Sequence, residues 1–405
     1  MAMMLLHYCC RHYIFLGFLF LLSLPAFSLQ RSALGIREFS PLSSAQILAL
    51  VSSVDPLKNV DTRNPDSHLS KILIPRVVGT ENSTSVRGHI VSALKSLNWH
   101  VEEDRFTDNT PLGPMTFTNI IATKNPSASR RVILSAHYDS KYFPKYPENQ
   151  FVGATDSAAP CAMMLDVAEA LNPLLESRQV RLEEGLEDDE DIADTTLQLV
   201  FFDGEEAFMT WTDTDSVYGA RHLAEKWSST YIPPNTKRRL MGHATSTEIS
   251  TIEHLILLDL LGASKPSIRS YFLDTAWLFD AMVSAEQRLA ESGAFQMVED
   301  GASSLPSFFI PRTGSEFNYG YIGDDHIPFL HKGVNILHVI AYPFPSVWHA
   351  LKDDASALDI PTMGRWNLIL RVFLAEYLNL LPENSESPPT HERLQRSNAE
   401  LWNFR

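Results

Sequence analysis

Residues 197–208 read LQLVFFDGEEAF. Leu197, Leu199, Val200, Phe201 and Phe202 form a nearly unbroken apolar run, as in a strand of a parallel sheet covered on both faces. The run stops at Asp203-Gly204 and delivers two adjacent glutamates, Glu205 and Glu206. Open α/β sheets keep their ligand sites at the carboxyl edge of such strands. Two carboxylates side by side there repel each other unless a cation or a shared proton holds them. The stretch therefore predicts an α/β fold with a metal at its sheet edge.

The remainder of the chain fits that fold. Its 405 residues are 44% hydrophobic and 20% charged, an ordinary globular composition with room for one large α/β domain. A formal net charge of −16 argues against nucleic acid as a partner, because backbone binding needs clustered Lys and Arg. Half of that excess sits in residues 183–194, EEGLEDDEDIAD, eight carboxylates without a base. These acids lack calcium-loop spacing, so the segment reads as an acidic surface insertion ahead of the central strand.

Residues 1–28 contain a short apolar run ended by Pro25, with Ala26 and Ser28 at the small-residue positions of a signal-peptide cleavage site. A secreted or secretory-lumen protein is expected; the alternative is an uncleaved, Golgi-type membrane anchor. Asn82-Ser83-Thr84 is a glycosylation sequon. A linker at 29–44, one domain at 45–382 and a polar tail at 383–405 complete the expected organisation. No repeat is apparent, and a monomer is expected.

Two helical patterns, at 43–54 and 85–104, precede two β-rich runs, at 116–125 and 131–140. The second run ends in His137-Tyr138-Asp139, where Asp139 is placed to orient the His137 imidazole. A helix is expected from near Ser157, with Asp156 just before it. Asp259 breaks the apolar strand HLILLDLLGA near its exit end, and a buried carboxylate there needs a partner. Further candidates are Asp324, Asp325 and His326 in a loop, His338 in the strand NILHVIAY, and Trp348 and His349 after it.

Taken singly, each of these has a plainer structural reading: a cap for Asp156, a surface imidazole for His137, a core ring for Trp348. Together, His137, Asp156, Glu205, Glu206, Asp259 and His349 converge on one sheet edge. These nitrogen and oxygen donors suit Zn²⁺, and a catalytic zinc takes three protein ligands and leaves one position open. One glutamate of the pair would ligate and the other act as general base. The residues alone do not say which.

GATDSAAPCAMML, FFDGEEAF, DLLGA, DDHIPFL and PFPSVWH resemble the glutaminyl-peptide cyclotransferases, the animal-type glutaminyl cyclases, which share a fold with the M28-type zinc aminopeptidases. The resemblance spans roughly residues 45–382. It implies a single α/β domain with a mixed, mostly parallel sheet flanked by helices. One zinc on Asp156, Glu206 and His349 is implied, with Glu205 as proton shuttle. Asp259 and Asp324 would hydrogen-bond near the transferring amine and carboxamide. Trp211, Phe344 and Trp348 would wall the glutamine pocket, with His338 in support. The implied substrates are peptides and proteins with an N-terminal glutamine. Secreted members pair the cysteine equivalent to Cys161 with one at the position that is Ala136 here, so that bridge is absent.

The competing reading is a two-zinc aminopeptidase, with His137 and Asp259 holding a second ion and Asp156 bridging. Trp211, Asp324 and Trp348, which resemble the cyclases specifically, weigh against it, and the aromatic walls would crowd a second ion. A non-catalytic binding protein of the same fold would show gaps among the ligands, and none is seen.

Overall fold

Along the central strand, side chains alternate between two cores, as the two-residue period of a strand requires. Leu197, Leu199 and Phe201 enter the larger core, and Val200 and Phe202 the smaller one. This strand is β4, Thr195–Phe202, in a six-stranded sheet with β1 His100–Thr110, β2 Gly113–Thr123, β3 Arg130–His137, β5 Ile252–Asp259 and β6 Asn335–Ile340. The order is β1-β2-β4-β3-β5-β6. The computed structural model describes residues 40–185, 195–233, 246–299, 305–313 and 322–382. The segment 1–28, most of the linker, most of the acidic insertion and the tail lie outside these residues.

β4, β3, β5 and β6 pair in parallel, whereas β2 runs antiparallel to β4 and to β1. The sheet is thus mixed and mostly parallel, and β4 is parallel to a neighbour on one side only. Helices α1 Ser44–Ser52, α2 His68–Ile72, α3 Glu81–Ser96 and α4 Ala159–Glu183 supply the larger core. The smaller core is closed by α5, Tyr218–Ser229, through Ala220, Leu223, Ala224 and Trp227, with Val217 just before the helix. Further on come α6 Ala276–Glu291, the single turn α7 Ile327–Leu330 inside the expected loop, and α8 Ile360–Tyr377. None of the described helices is long and apolar enough to cross a membrane.

Two boundaries differ from the sequence reading. The helical pattern at 85–104 ends at Ser96, because Asn98 takes a left-handed conformation (φ 59°), a common way to stop a helix. His100–Asp104 then pair with Asn119–Thr123 as strand. The helix expected from Ser157 begins at Ala159, and no side chain caps it. The Ser157 hydroxyl donates to Asp259 Oδ1 at 2.5 Å instead.

Candidate active site

The two glutamates owe their position to Gly204. Its φ of +76° turns the chain off β4, and an added Cβ would lie 2.4 Å from the Phe117 ring. The Asp139 carboxylate then accepts the backbone N–H of Glu205 at 3.2 Å and that of Glu206 at 3.3 Å. The sequence reading gave Asp139 the His137 imidazole. That Nδ1 is 3.5 Å away and has no hydrogen-bond partner among the described residues. Past the glutamates, the Asp215 carboxylate accepts the backbone N–H groups of Phe208, Met209 and Thr210, which fixes the approach to Trp211.

Asp156 arrives on a buried loop that the sequence did not reveal as a clamp. Arg76, fully buried, donates to the carbonyls of Tyr138, Val152, Gly153 and Asp156. Asp353 accepts from both the backbone N–H and the hydroxyl of Thr155. His349 has a left-handed backbone (φ 53°), a strained conformation of the kind found at functional sites, and its ring stacks on Trp348 at 3.9 Å.

These elements bring Asp156, Glu206 and His349 together, each offering one ligand atom within 4.8 Å of the others. His349 Nε2 is 3.4 Å from Asp156 Oδ2 and 3.3 Å from Glu206 Oε1, and Lys141 Nζ donates to Glu206 Oε2 at 3.0 Å. A second group, His137, Asp156 and Asp259, adjoins it: His137 Nε2 lies 3.0 Å from Asp156 Oδ1 and 3.5 Å from Asp259 Oδ1. Farther along, Asp324, His326 and His338 form a third buried group.

A cavity of about 350 Å³ connects the first two groups to the surface. Asp156, Glu205, Glu206, Asp259 and His349 line its floor, and Trp211, Phe344 and Trp348 its walls. Trp211 and Gly323 also border a neighbouring cavity of about 610 Å³, into which Asp324 faces. His338, grouped with the pocket residues in the sequence reading, does not line the pocket. It is buried behind it, 2.7 Å from Asp324 Oδ2, because β6 points its ring inward.

The electrostatics express an excess of buried acid. Burial, reinforced by Glu206, Asp324 and Asp325 against the pull of His137, pushes Glu205 well above the usual carboxylate range. Burial and the Asp324 charge raise Asp259 to about 6. Burial would lower His349, but the Asp156 and Glu206 carboxylates beside it win and raise it to about 9. Asp156 moves the opposite way: burial would raise it, but the hydrogen bond to His137 and the His349 imidazole beside it hold it below the ordinary range.

The model of peptidase family M28 matches residues 119–374. Glutaminyl-peptide cyclotransferase of Bos taurus is 43% identical over 317 residues, covering 77% of this chain and 81% of the relative. The Bothrops jararaca counterpart is 45% identical over 316 residues, 77% and 80% of the two chains. The chain belongs to the glutaminyl-peptide cyclotransferases of family M28. A solved relative, the Macrostomum lignano glutaminyl cyclase, has 36% identity and a TM-score of 0.70 over 86% of this chain and 97% of that one. The M28 match runs from β2 into α8 and so contains every residue lining the pocket.

Proposed function

We propose that this chain is a zinc-dependent glutaminyl-peptide cyclotransferase that converts the N-terminal glutamine of peptides and proteins to pyroglutamate and releases ammonia. The observation that carries the reading is the shared pocket. Glu205 lies in one aromatic-walled cavity with a two-carboxylate, one-imidazole donor set. That set suits zinc. Glu206 Oε1, buried and accepting no hydrogen bond from the described residues, is an orphan acceptor that a cation would satisfy. Asp156, Glu206 and His349 would hold the ion, which when bound supplies polarisation of the γ-carboxamide carbonyl.

The substrate's α-amine attacks the side-chain carboxamide carbon, so one C–N bond forms and the bond to the amide nitrogen breaks. Glu205 takes the proton from the amine and returns it to the departing nitrogen as ammonia. Its raised affinity for protons suits both halves of that transfer. Asp259 and Asp324 would hydrogen-bond the amine and carboxamide, and Trp211, Phe344 and Trp348 would exclude water from the reacting side chain.

A second reading, a two-metal aminopeptidase, draws on the His137, Asp156 and Asp259 group. Against it, Asp259 Oδ1 already accepts the Ser157 hydroxyl. One assay separates them: zinc-loaded protein with a Gln-initiated peptide, following ammonia, product mass and zinc content together. Loss of about 17 Da with one zinc bound, abolished by Glu205→Gln, supports cyclisation. Free N-terminal residues from Leu- or Ala-initiated peptides, with two zincs bound, would replace the proposal with the peptidase.

The apolar segment at 1–28 supports a secretory-pathway location, and the chain is read as a monomer. Asn82 lies exposed in the first turn of α3, its amide donating to the Pro75 carbonyl at 2.8 Å. Glycan attachment would leave that nitrogen one N–H with which to keep the bond.

A further inference from the structure

Beyond β6 the chain continues as Ala341-Tyr342 and meets a second extended segment. Ala341 bridges Ile268, and the Tyr342 N–H donates to the Ser267 carbonyl at 2.9 Å. Ile268 is held on its other side by Phe308 and Ile310 through two backbone hydrogen bonds of 2.9 Å. This pairing sets Arg269 beside Tyr342, with the guanidinium carbon 5.7 Å from the ring centre.

Tyr342 begins a line of aromatic rings. Its centre is 6.2 Å from Phe344, Phe344 is 5.0 Å from Trp348, and Trp348 stacks on His349 at 3.9 Å. Phe344 and Trp348 are pocket walls, whereas Tyr342 is 47% exposed and belongs to no core cluster. The line therefore leads from the reacting end of the pocket to the surface and stops at a cation. Arg269 Nε has no hydrogen-bond partner among the described residues, nor does any described carboxylate form an ion pair with this side chain. In a protein of net charge −16, Arg269 thus meets the exposed Tyr342 ring and, among the described residues, no acid.

We propose that the peptide following the N-terminal glutamine leaves the pocket along Phe344 and Tyr342, and that Arg269 selects substrates bearing a carboxylate a few residues downstream. The proposal rests on the cyclotransferase reading. Extended peptide advances about 3.3 Å per residue, which brings Arg269 within reach of roughly the third to fifth position. The carboxylate is an Asp or Glu side chain or, in a short peptide, the free C-terminus.

The test uses the full chain loaded with zinc and three kinds of substrate. Glutamine amide has nothing downstream. C-terminally amidated Gln-pentapeptides carry Glu or its neutral counterpart at position three, four or five. Gln-tetrapeptides with free or amidated ends isolate the C-terminal carboxylate. The expected result is a KM about three- to tenfold lower for the carboxylate-bearing member of a pair, shrinking at about 0.5 M salt. Arg269→Ala removes the difference and Arg269→Lys restores part of it, with glutamine amide turned over as before. Tyr342→Ala raises KM for every peptide and leaves glutamine amide unchanged. Equal KM values within each pair, or a preference that survives Arg269→Ala, would overturn the proposal, as for a peptide leaving over Trp211 into the neighbouring cavity. No turnover of glutamine amide by the unmodified chain would overturn the cyclotransferase reading itself, and the path with it.

Discussion

Asp139 holds Glu205 by its backbone: the carboxylate accepts the Glu205 N–H at 3.2 Å and also spans the next amide. The side chain that would carry the proton is thereby left to face the pocket. Replacing Asp139 with Ala should lower kcat on a Gln-peptide about 10- to 100-fold and weaken zinc binding, because both glutamates lose their anchor. Asp139→Asn keeps one acceptor and should fall between. Steady-state kinetics with zinc titration checks this, and a variant as active as the parent would remove Asp139 from the machinery.

Glu205 and Glu206 should separate cleanly despite being neighbours. Glu205→Gln is expected to cut kcat by about 10²- to 10⁴-fold while zinc stays bound. Glu206→Gln and His349→Ala should lose the metal along with activity. Metal analysis of the three purified variants decides the assignment; zinc lost from Glu205→Gln but retained by Glu206→Gln would reverse it.

Away from the pocket, α4 and α8 are joined by Asp166 and Arg371, both fully buried. Two hydrogen bonds of 2.8 Å link the guanidinium to the carboxylate, and Arg371 also donates to the Val54 carbonyl. Asp166→Ala leaves a buried cation uncompensated and should cost about 3–5 kcal/mol. Adding Arg371→Met to Asp166→Leu should recover most of that loss. Urea unfolding of the single and double variants measures both effects.

Acid should weaken the β1 edge of the sheet through Asp104. Burial works against ionisation of Asp104, but hydrogen bonds from His222 and Lys226 prevail and bring it down to about 2. A carboxyl depressed in the folded state stabilises fully above its unfolded value. That stabilisation is lost as pH falls from about 4 through about 2. Lys226 is 38% exposed, so screening limits the contribution to about 1 kcal/mol. Asp104→Asn should therefore lower Tm at neutral pH and flatten the fall in Tm between about pH 4 and pH 2. An unchanged acid slope would show that the pair contributes nothing.

The parts of the fold that sequence could convey are those written locally. Leu197–Phe202 is apolar over a strand's length, and the turn at Asp203-Gly204 follows at once, so β4 and its two glutamates were legible. The pairing of β4 was not, because an unbroken apolar run does not reveal that β2 lies antiparallel along one side. His100–Asp104 continue a charged, helix-like pattern and become strand only through their partners in β2. Likewise, the support under Asp156 depends on Arg76, whose carbonyl acceptors lie more than sixty positions away, and on Asp353, nearly two hundred residues downstream. Long-range clamps leave no periodicity to read. Arg269 was missed for the same reason: its meaning comes from a bridge between Ile268 and Ala341.

One thiol bears on handling the protein. Cys161 is buried and unpaired, and it donates to the His137 carbonyl at 3.1 Å. The wall behind the pocket is thus held by packing and hydrogen bonds, with no covalent staple for a reductant to open. Dithiothreitol should leave its melting temperature unchanged, and assembly of this wall needs no oxidising chaperone.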